Sequence, residues 1–459
     1  MSFSRRQGEL LLCLVSLFLV FCSVTCLSFS ETVQEEIPGL LKYEINGVYI
    51  GSLKHVIQIV NNSPAPVSGE LFVPLIRNET AQRYVILRNG SLSKVNDSSG
   101  NVYFHLDPLR IGGGQTFRVE LNYYVVSFSI HYLIDSSVVE NYDTGSEMYR
   151  KYTGSEELME SDNSRMISLV HNLTSNVDDW HGKALKIYDF VRRHMHYEVQ
   201  DEERGALWAL ENGVGDCSEY SYLFVALCRA GGIPARIKAG FAFHRATESS
   251  EDRHMWAEYY LENYGWIPVD VTWGLFDKID DKHFSSIQSI PEEISYSNYV
   301  FECEEEKNVE DEQMVSVTPC STDVFDDSFV ENIVMTVQKV RQAKFSIFLG
   351  KVFGTPLIFL SEAKEVEQTL LESEIQLQNA IDFWHEDPQI AESNAVSALE
   401  NVEETLQNSW MLIAKAFAIF ISIPIVIMLI GFFFLRRYDV KQDRKSEQKF
   451  HLHRALILS

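Results

Sequence analysis

The sequence is short of positive charge. Its 39 Lys and Arg stand against 65 Asp and Glu, for a net charge of −26. That deficit excludes an extended nucleic-acid surface and, over the main body, a patch that attracts anionic lipid. Internal repeats and long low-complexity runs are absent, so the chain is not a repeat array. The most acidic segment, within 301–327, lacks the spacing and the glycine of an EF-hand, which leaves a solvated linker as its reading. No cofactor motif occurs. His194 and His196 have no Cys or carboxylate at metal-ligand spacing and read as polar residues at a helix end.

What is present suits a folded exported body. Hydrophobic residues make up 46% and charged residues 23% of 459 residues, room for two or three domains. Arg5 and Arg6 precede an apolar run from Leu10 to Leu27, so residues 1–28 read as a signal peptide, with an uncleaved anchor as the alternative. The residues before Cys22 and Cys26 lack the small Gly or Ala that lipid attachment prefers. Residues 29–138 alternate polar and apolar in short runs separated by Asn-Gly, Ser-Gly and Gly-Gly turns, the pattern of a β-sandwich-like domain. Asn61, Asn78, Asn89, Asn96 and Asn172 head N-x-[ST] sequons and are N-glycosylation candidates; plain surface asparagine is the alternative.

Chemistry concentrates between Gly213 and Trp273. Gly213 and Gly215 free the chain to turn just before Cys217. An apolar helical pattern follows, through Leu223, Phe224, Leu227 and Cys228, and stops at Gly231-Gly232. Asp216 and Ser218 are candidate caps. A cysteine at a helix N-terminus is favoured as the thiolate, which a nucleophile needs. Downstream, His254 to Leu261 and Trp266 to Val271 read as antiparallel strands joined around Asn263-Tyr264-Gly265. His254 and Asp270 then lie on neighbouring strands, able to take the thiol proton and orient the ring. A tight turn pairs Asp270 closer to Ala257 than to His254, so contact needs a diagonal reach, a bulge or another register. Cys228 faces the apolar side and reads as buried and inert. Trp208 is either a wall of the acyl site or a core aromatic, and Glu258 is a strand neighbour expected to pair with a base.

The words GDCSEYSYLFVALCRAGGIPAR, HMWAEYY and YGWIPVDVTW, in that order, resemble the transglutaminase-like superfamily. Upstream, KALKIYDFVRRHMHYE is similar to the helix that precedes the family's cysteine. The resemblance implies a papain-like core over 143–290, with Cys217 as nucleophile, His254 as general base and acid, and Asp270 as orienting carboxylate. It implies thioester chemistry on protein or peptide amides, ended by water or by an amine, and needs no cofactor.

Past the core, Cys303 and Cys320 flank the acidic segment and would close it as a disulfide in an exported protein. Residues 328–361 read as strands of a β segment. Residues 362–408 read as a helical hairpin or stalk, turning at His385-Glu386-Asp387-Pro388. Residues 411–435 are apolar except Lys415 and measure about 37 Å as a helix, enough to cross a membrane. Arg436-Arg437 and KQDRK place the tail, 436–459, on the cytoplasmic side. The expected protein is therefore α+β: a sandwich-like domain, a papain-like transglutaminase core, a helical stalk and one transmembrane helix. Its expected place is a cell membrane, body outside. Its expected function is a surface-anchored cysteine-dependent amide hydrolase or acyltransferase. The alternative is a non-catalytic binding or assembly module on the same scaffold.

Overall fold

A computed structural model describes residues 41–457, apart from 80–81, 90–91, 251, 291–298, 305–307 and 326. Residues 1–28, expected to be a signal peptide, lie outside the described residues. The chain forms two compact units, one of residues 38–338 and 374–399, the other of 339–373 and 400 onward.

In the first unit the long strands β1 (Tyr43–Asn61), β2 (Val67–Pro74), β3 (Val102–Ile111) and β4 (Thr116–Tyr132) make the sandwich. β1 pairs with β4 in one sheet and β2 with β3 in another. Inward residues recur at every second position, as the pleat requires. Leu53, Ile57 and Ile59 of β1 meet Leu71, Val73, Leu109 and Ile111 of the facing sheet in one cluster. The core follows. Helices α1 (Trp180–His194) and α2 (Cys217–Ala230) pack with β5 (Ala235–Ala242), β6 (His254–Leu261), β7 (Gly265–Asp270) and β8 (His283–Gln288). The sheet order is β7-β6-β5-β8, with an outer strand at Leu275–Phe276. α2 is buried nearly all round, from Glu219 to Arg229, and is the centre of the core.

The acidic segment is not a linker. Val300–Cys303 is strand β9, paired with β2, and Val309–Pro319 is strand β10, paired with β1 from Gly51 to Asn61. Val315 and Val317 turn inward while Glu310 and Asp311 stay out. Alternation, hidden by the charge, is what makes this a strand. Cys303 and Cys320 do not close a loop: both thiols are free. Cys303 precedes β10 and Cys320 follows it, and a strand of that length is about 35 Å long.

Residues 328–361 are helical rather than β. Ser328–Val352 is helix α3, followed by a one-turn helix, Thr355–Ile358. Phe329, Val330, Ile333, Val334 and Val337 are buried at helical spacing. Leu360–Asp382 is α4 and Pro388–Ile457 is α5, so the expected helical hairpin turns where the His385–Pro388 stretch placed it. Pro388 opens α5, the position where its missing N–H costs nothing. Within α5 the stretch to Phe434 holds a window of mean hydropathy 2.8, none of it buried, long and apolar enough to cross a membrane.

Asn61 is fully buried. Its Nδ2 donates to the carbonyls of Ala65, Ile111 and Gly112 at 2.8, 3.1 and 3.2 Å, so no glycan can reach it. Asn78, Asn96 and Asn172 are exposed, and Asn89 is half-buried.

Candidate active site

Cys217 is the first residue of α2. The turn into it is built for close approach. Gly213 has φ 67°, a left-handed value that ends the preceding helix. A Cβ on Gly215 would sit 2.4 Å from Glu219 Cβ. Asp216 caps the helix, accepting from Ser218 N–H at 3.0 Å, and Glu219 Oε2 accepts from Asp216 N–H at 2.9 Å. This capping box holds the first turn, and Cys217 with it, in one place.

His254 opens β6 and Asp270 closes β7. The ladder pairs Ala257 with Val269 and Leu261 with Gly265, so Asp270 faces the Trp256 position and lies diagonal to His254. Of the three routes to contact, the diagonal reach is the one used. His254 Nε2 lies 2.7 Å from Asp270 Oδ2. Cys217 stands close enough to act on the same ring. Burial pulls the His254 pKa down, but Asp270 and Cys217 outweigh it and raise it to about 9. The three residues that the sequence singled out therefore meet at one point.

A fourth side chain was missed. His283, on β8, is fully buried and its Nε2 lies 3.1 Å from the same Asp270 oxygen. Its Nδ1 lies 2.9 Å from Asp280 Oδ1. An imidazole with a carboxylate at each nitrogen donates from both and is held as the cation. Burial opposes that charge, and the two carboxylates outweigh it, raising the pKa to about 9. Asp270 also accepts from Trp273 N–H at 2.8 Å. Burial pushes its carboxyl up, but the His254 and His283 bonds hold it well below the usual range. His254, Asp270 and His283 bring three ligand atoms within 4.8 Å. They are spent on one another, so the group reads as a relay rather than a metal site.

The relay opens on a cleft of about 660 Å³ that Cys217 and His254 line. Tyr197, Glu203, Arg253 and Trp273 are among its other walls. Trp273 stacks on His244 at 4.3 Å and stands 5.1 Å from His254, roofing the imidazole. Trp208 does not line the cleft; it is half-buried under the Arg204 guanidinium. Glu258 pairs with Arg236 at 2.7 Å, as a strand neighbour of basic residues should. Cys228 is fully buried and its thiol is pushed well up. His194 Nε2 meets Leu210 O at 2.8 Å, a helix-end contact.

Residues 167–271 match the model of the transglutaminase-like superfamily. The chain is 26% identical over 146 residues to the uncharacterized protein YebA of Bacillus subtilis, covering 27% of this chain and 20% of that protein. It is 40% identical over 75 residues to an uncharacterized protein of Haemophilus influenzae, covering 12% and 20%. The matched part thus spans a fifth of these relatives' length. Among solved structures it is similar to a Cytophaga hutchinsonii protein described as a candidate cysteine protease, with TM-score 0.44 and 17% identity over 61% of this chain and 93% of that one. It is also similar to the periplasmic domain of TgpA from Pseudomonas aeruginosa, with TM-score 0.28 and 15% identity over 51% and 97%. The ordered motifs and the family model agree: residues 167–271 belong to the transglutaminase-like superfamily.

Proposed function

We propose that this chain is a membrane-anchored cysteine enzyme that cleaves or transfers acyl groups from protein or peptide amides. The observation that carries it is the His254–Asp270 hydrogen bond with Cys217 beside His254 in the lining of an open cleft. The Cys217 thiolate attacks the amide carbonyl carbon. The C–N bond breaks, and the amine leaves with the proton that His254 Nδ1 donates. A thioester on Cys217 remains. Water attacks it, His254 takes the water proton, and a carboxylic acid and free Cys217 result. An amine in place of water gives the transfer reaction. The cleft is open, so water reaches the thioester, which favours hydrolysis. Asp270 fixes the ring with Nε2 towards itself and Nδ1 towards sulfur. The Cys217 backbone N–H, in a first turn whose Ser218 N–H is already taken by Asp216, is the oxyanion donor we assign.

The span in α5 anchors the enzyme. The basic residues after it keep the tail cytoplasmic and the body outside. The test is a peptide-amide library presented to the full chain, with ammonia or amine release as the readout, against Cys217→Ser. Release that survives Cys217→Ser sinks the reading. A wild-type chain that binds library peptides without turnover would favour the binding-module alternative.

A further inference from the structure

The segment Phe345–Leu360, FSIFLGKVFGTPLIFL, carries one charge, Lys351. Gly354 and Pro356 break it, so it cannot cross a membrane alone. In the unit of residues 339–373 and 400 onward it forms a bent corner. α3 ends at Val352, Gly354 takes φ 72°, and one helical turn leads into α4.

The corner packs along α5. The Phe353 and Phe417 rings stand 6.2 Å apart, and Lys415 Nζ lies 5.8 Å from the Phe359 ring. A Cβ on Gly350 would meet Ile413 at 3.6 Å, and one on Gly354 would meet Phe420 at 4.0 Å. All four α5 residues lie in the apolar stretch that begins at Met411. From Met411, where that stretch begins, to Phe420 is about 14 Å of helix. The corner therefore follows the span to nearly half of a hydrocarbon core about 30 Å thick.

Its outer face is apolar and bare. Phe345, Phe348, Val352, Leu357, Ile358 and Leu360 are between 38% and 60% exposed. Contiguous apolar surface of this kind is unfavourable in water and marks a contact. Lys351 does not argue otherwise. Its ammonium reaches Glu367 at 2.7 Å, back along α4 and away from the tip.

We propose that this corner inserts into the phospholipid leaflet beside the span, its outer face covered by acyl chains. The proposal rests on the reading of α5 as membrane-crossing. It makes the anchor a three-helix wedge rather than a single rod.

The test places the full chain in phosphatidylcholine nanodiscs, one copy per disc. Four single variants are made: Phe348→Cys and Leu357→Cys in the corner, Ser422→Cys in the span, and Ile167→Cys on an exposed helix of the other unit. A charged, membrane-impermeant maleimide is added, and each site is read by peptide mass spectrometry, with full labelling in denaturing detergent as the reference. The corner positions should react as slowly as Ser422→Cys and more than about tenfold slower than Ile167→Cys, because a charged reagent is excluded from hydrocarbon. Corner positions that react like Ile167→Cys, with Ser422→Cys protected, overturn the corner and leave the span standing. Fast reaction at Ser422→Cys overturns the membrane reading and the corner with it.

Discussion

His254 Nε2 stands 2.7 Å from Asp270 Oδ2 although the two residues are not opposite in their ladder. Diagonal partners on antiparallel strands are roughly 7–8 Å apart at the backbone, and two side chains reaching inward close that gap. The geometry uses the natural pleat and needs no bulge. It also makes the contact depend on a charged acceptor. Asp270→Asn keeps the shape but offers no anion to the imidazolium. Turnover should fall by roughly 10³–10⁴-fold, with KM changed much less. A decrease under tenfold would remove Asp270 from the relay.

His283 positions Asp270 by meeting the same carboxylate oxygen that His254 uses, at 3.1 Å. It does not itself line the cleft, and it reaches the site through the carboxylate and through an edge-on contact with Trp273, ring centroids 4.7 Å apart. His283→Gln should lower kcat by about 10²-fold and leave KM nearly unchanged, the signature of a misplaced group. A purely structural role would instead lower thermal stability while folded molecules kept the wild-type kcat.

The alkaline limb of turnover should have its midpoint near pH 9, where His254 loses the proton that it gives to the leaving amine. Stability should follow the same groups. His254 and His283 titrate near 9 in the fold and near 6.5 when unfolded. Their contribution is complete below about pH 6.5 and is lost as pH rises through 9. At 1.36 kcal/mol per unit it reaches about 3 kcal/mol for either group, and the two do not add because they share Asp270. Denaturant midpoints measured from pH 6 to pH 10 check the slope.

Lys238 is buried with Glu79 and Glu258 as its ion-pair partners and does not line the cleft. Burial pushes the Glu79 carboxyl up, but Lys238 and Arg83 outweigh it and bring it to about 2. Glu79→Gln leaves Lys238 short of one counter-charge and should cost about 3 kcal/mol in urea unfolding at pH 7. Activity of the folded fraction should be unchanged.

The grouping of Cys217, His254 and Asp270 was legible because each sits in a local word. Glycines precede Cys217, a helical pattern follows it, and the two strands share a tight turn. His283 was not legible. It lies 13 residues past Asp270, and only the long-range pairing of β8 with β5, His283 opposite Ala242, brings it home. The strand Val309–Pro319 was obscured by acidic residues on its exposed side. In α3 the period was readable, since Val330, Ile333, Val334 and Val337 follow a helical face. Its β-branched composition favours strands, and that local preference lost to tertiary burial.

The central claim is that Cys217 is a nucleophile activated by His254. The direct measurement is the rate of Cys217 alkylation by iodoacetamide against pH, in the full chain and in His254→Ala. The account predicts fast labelling near neutral pH that slows at least about tenfold in the variant. Labelling that begins only above about pH 8, and at equal rates in both proteins, is the behaviour of an ordinary thiol and would contradict it.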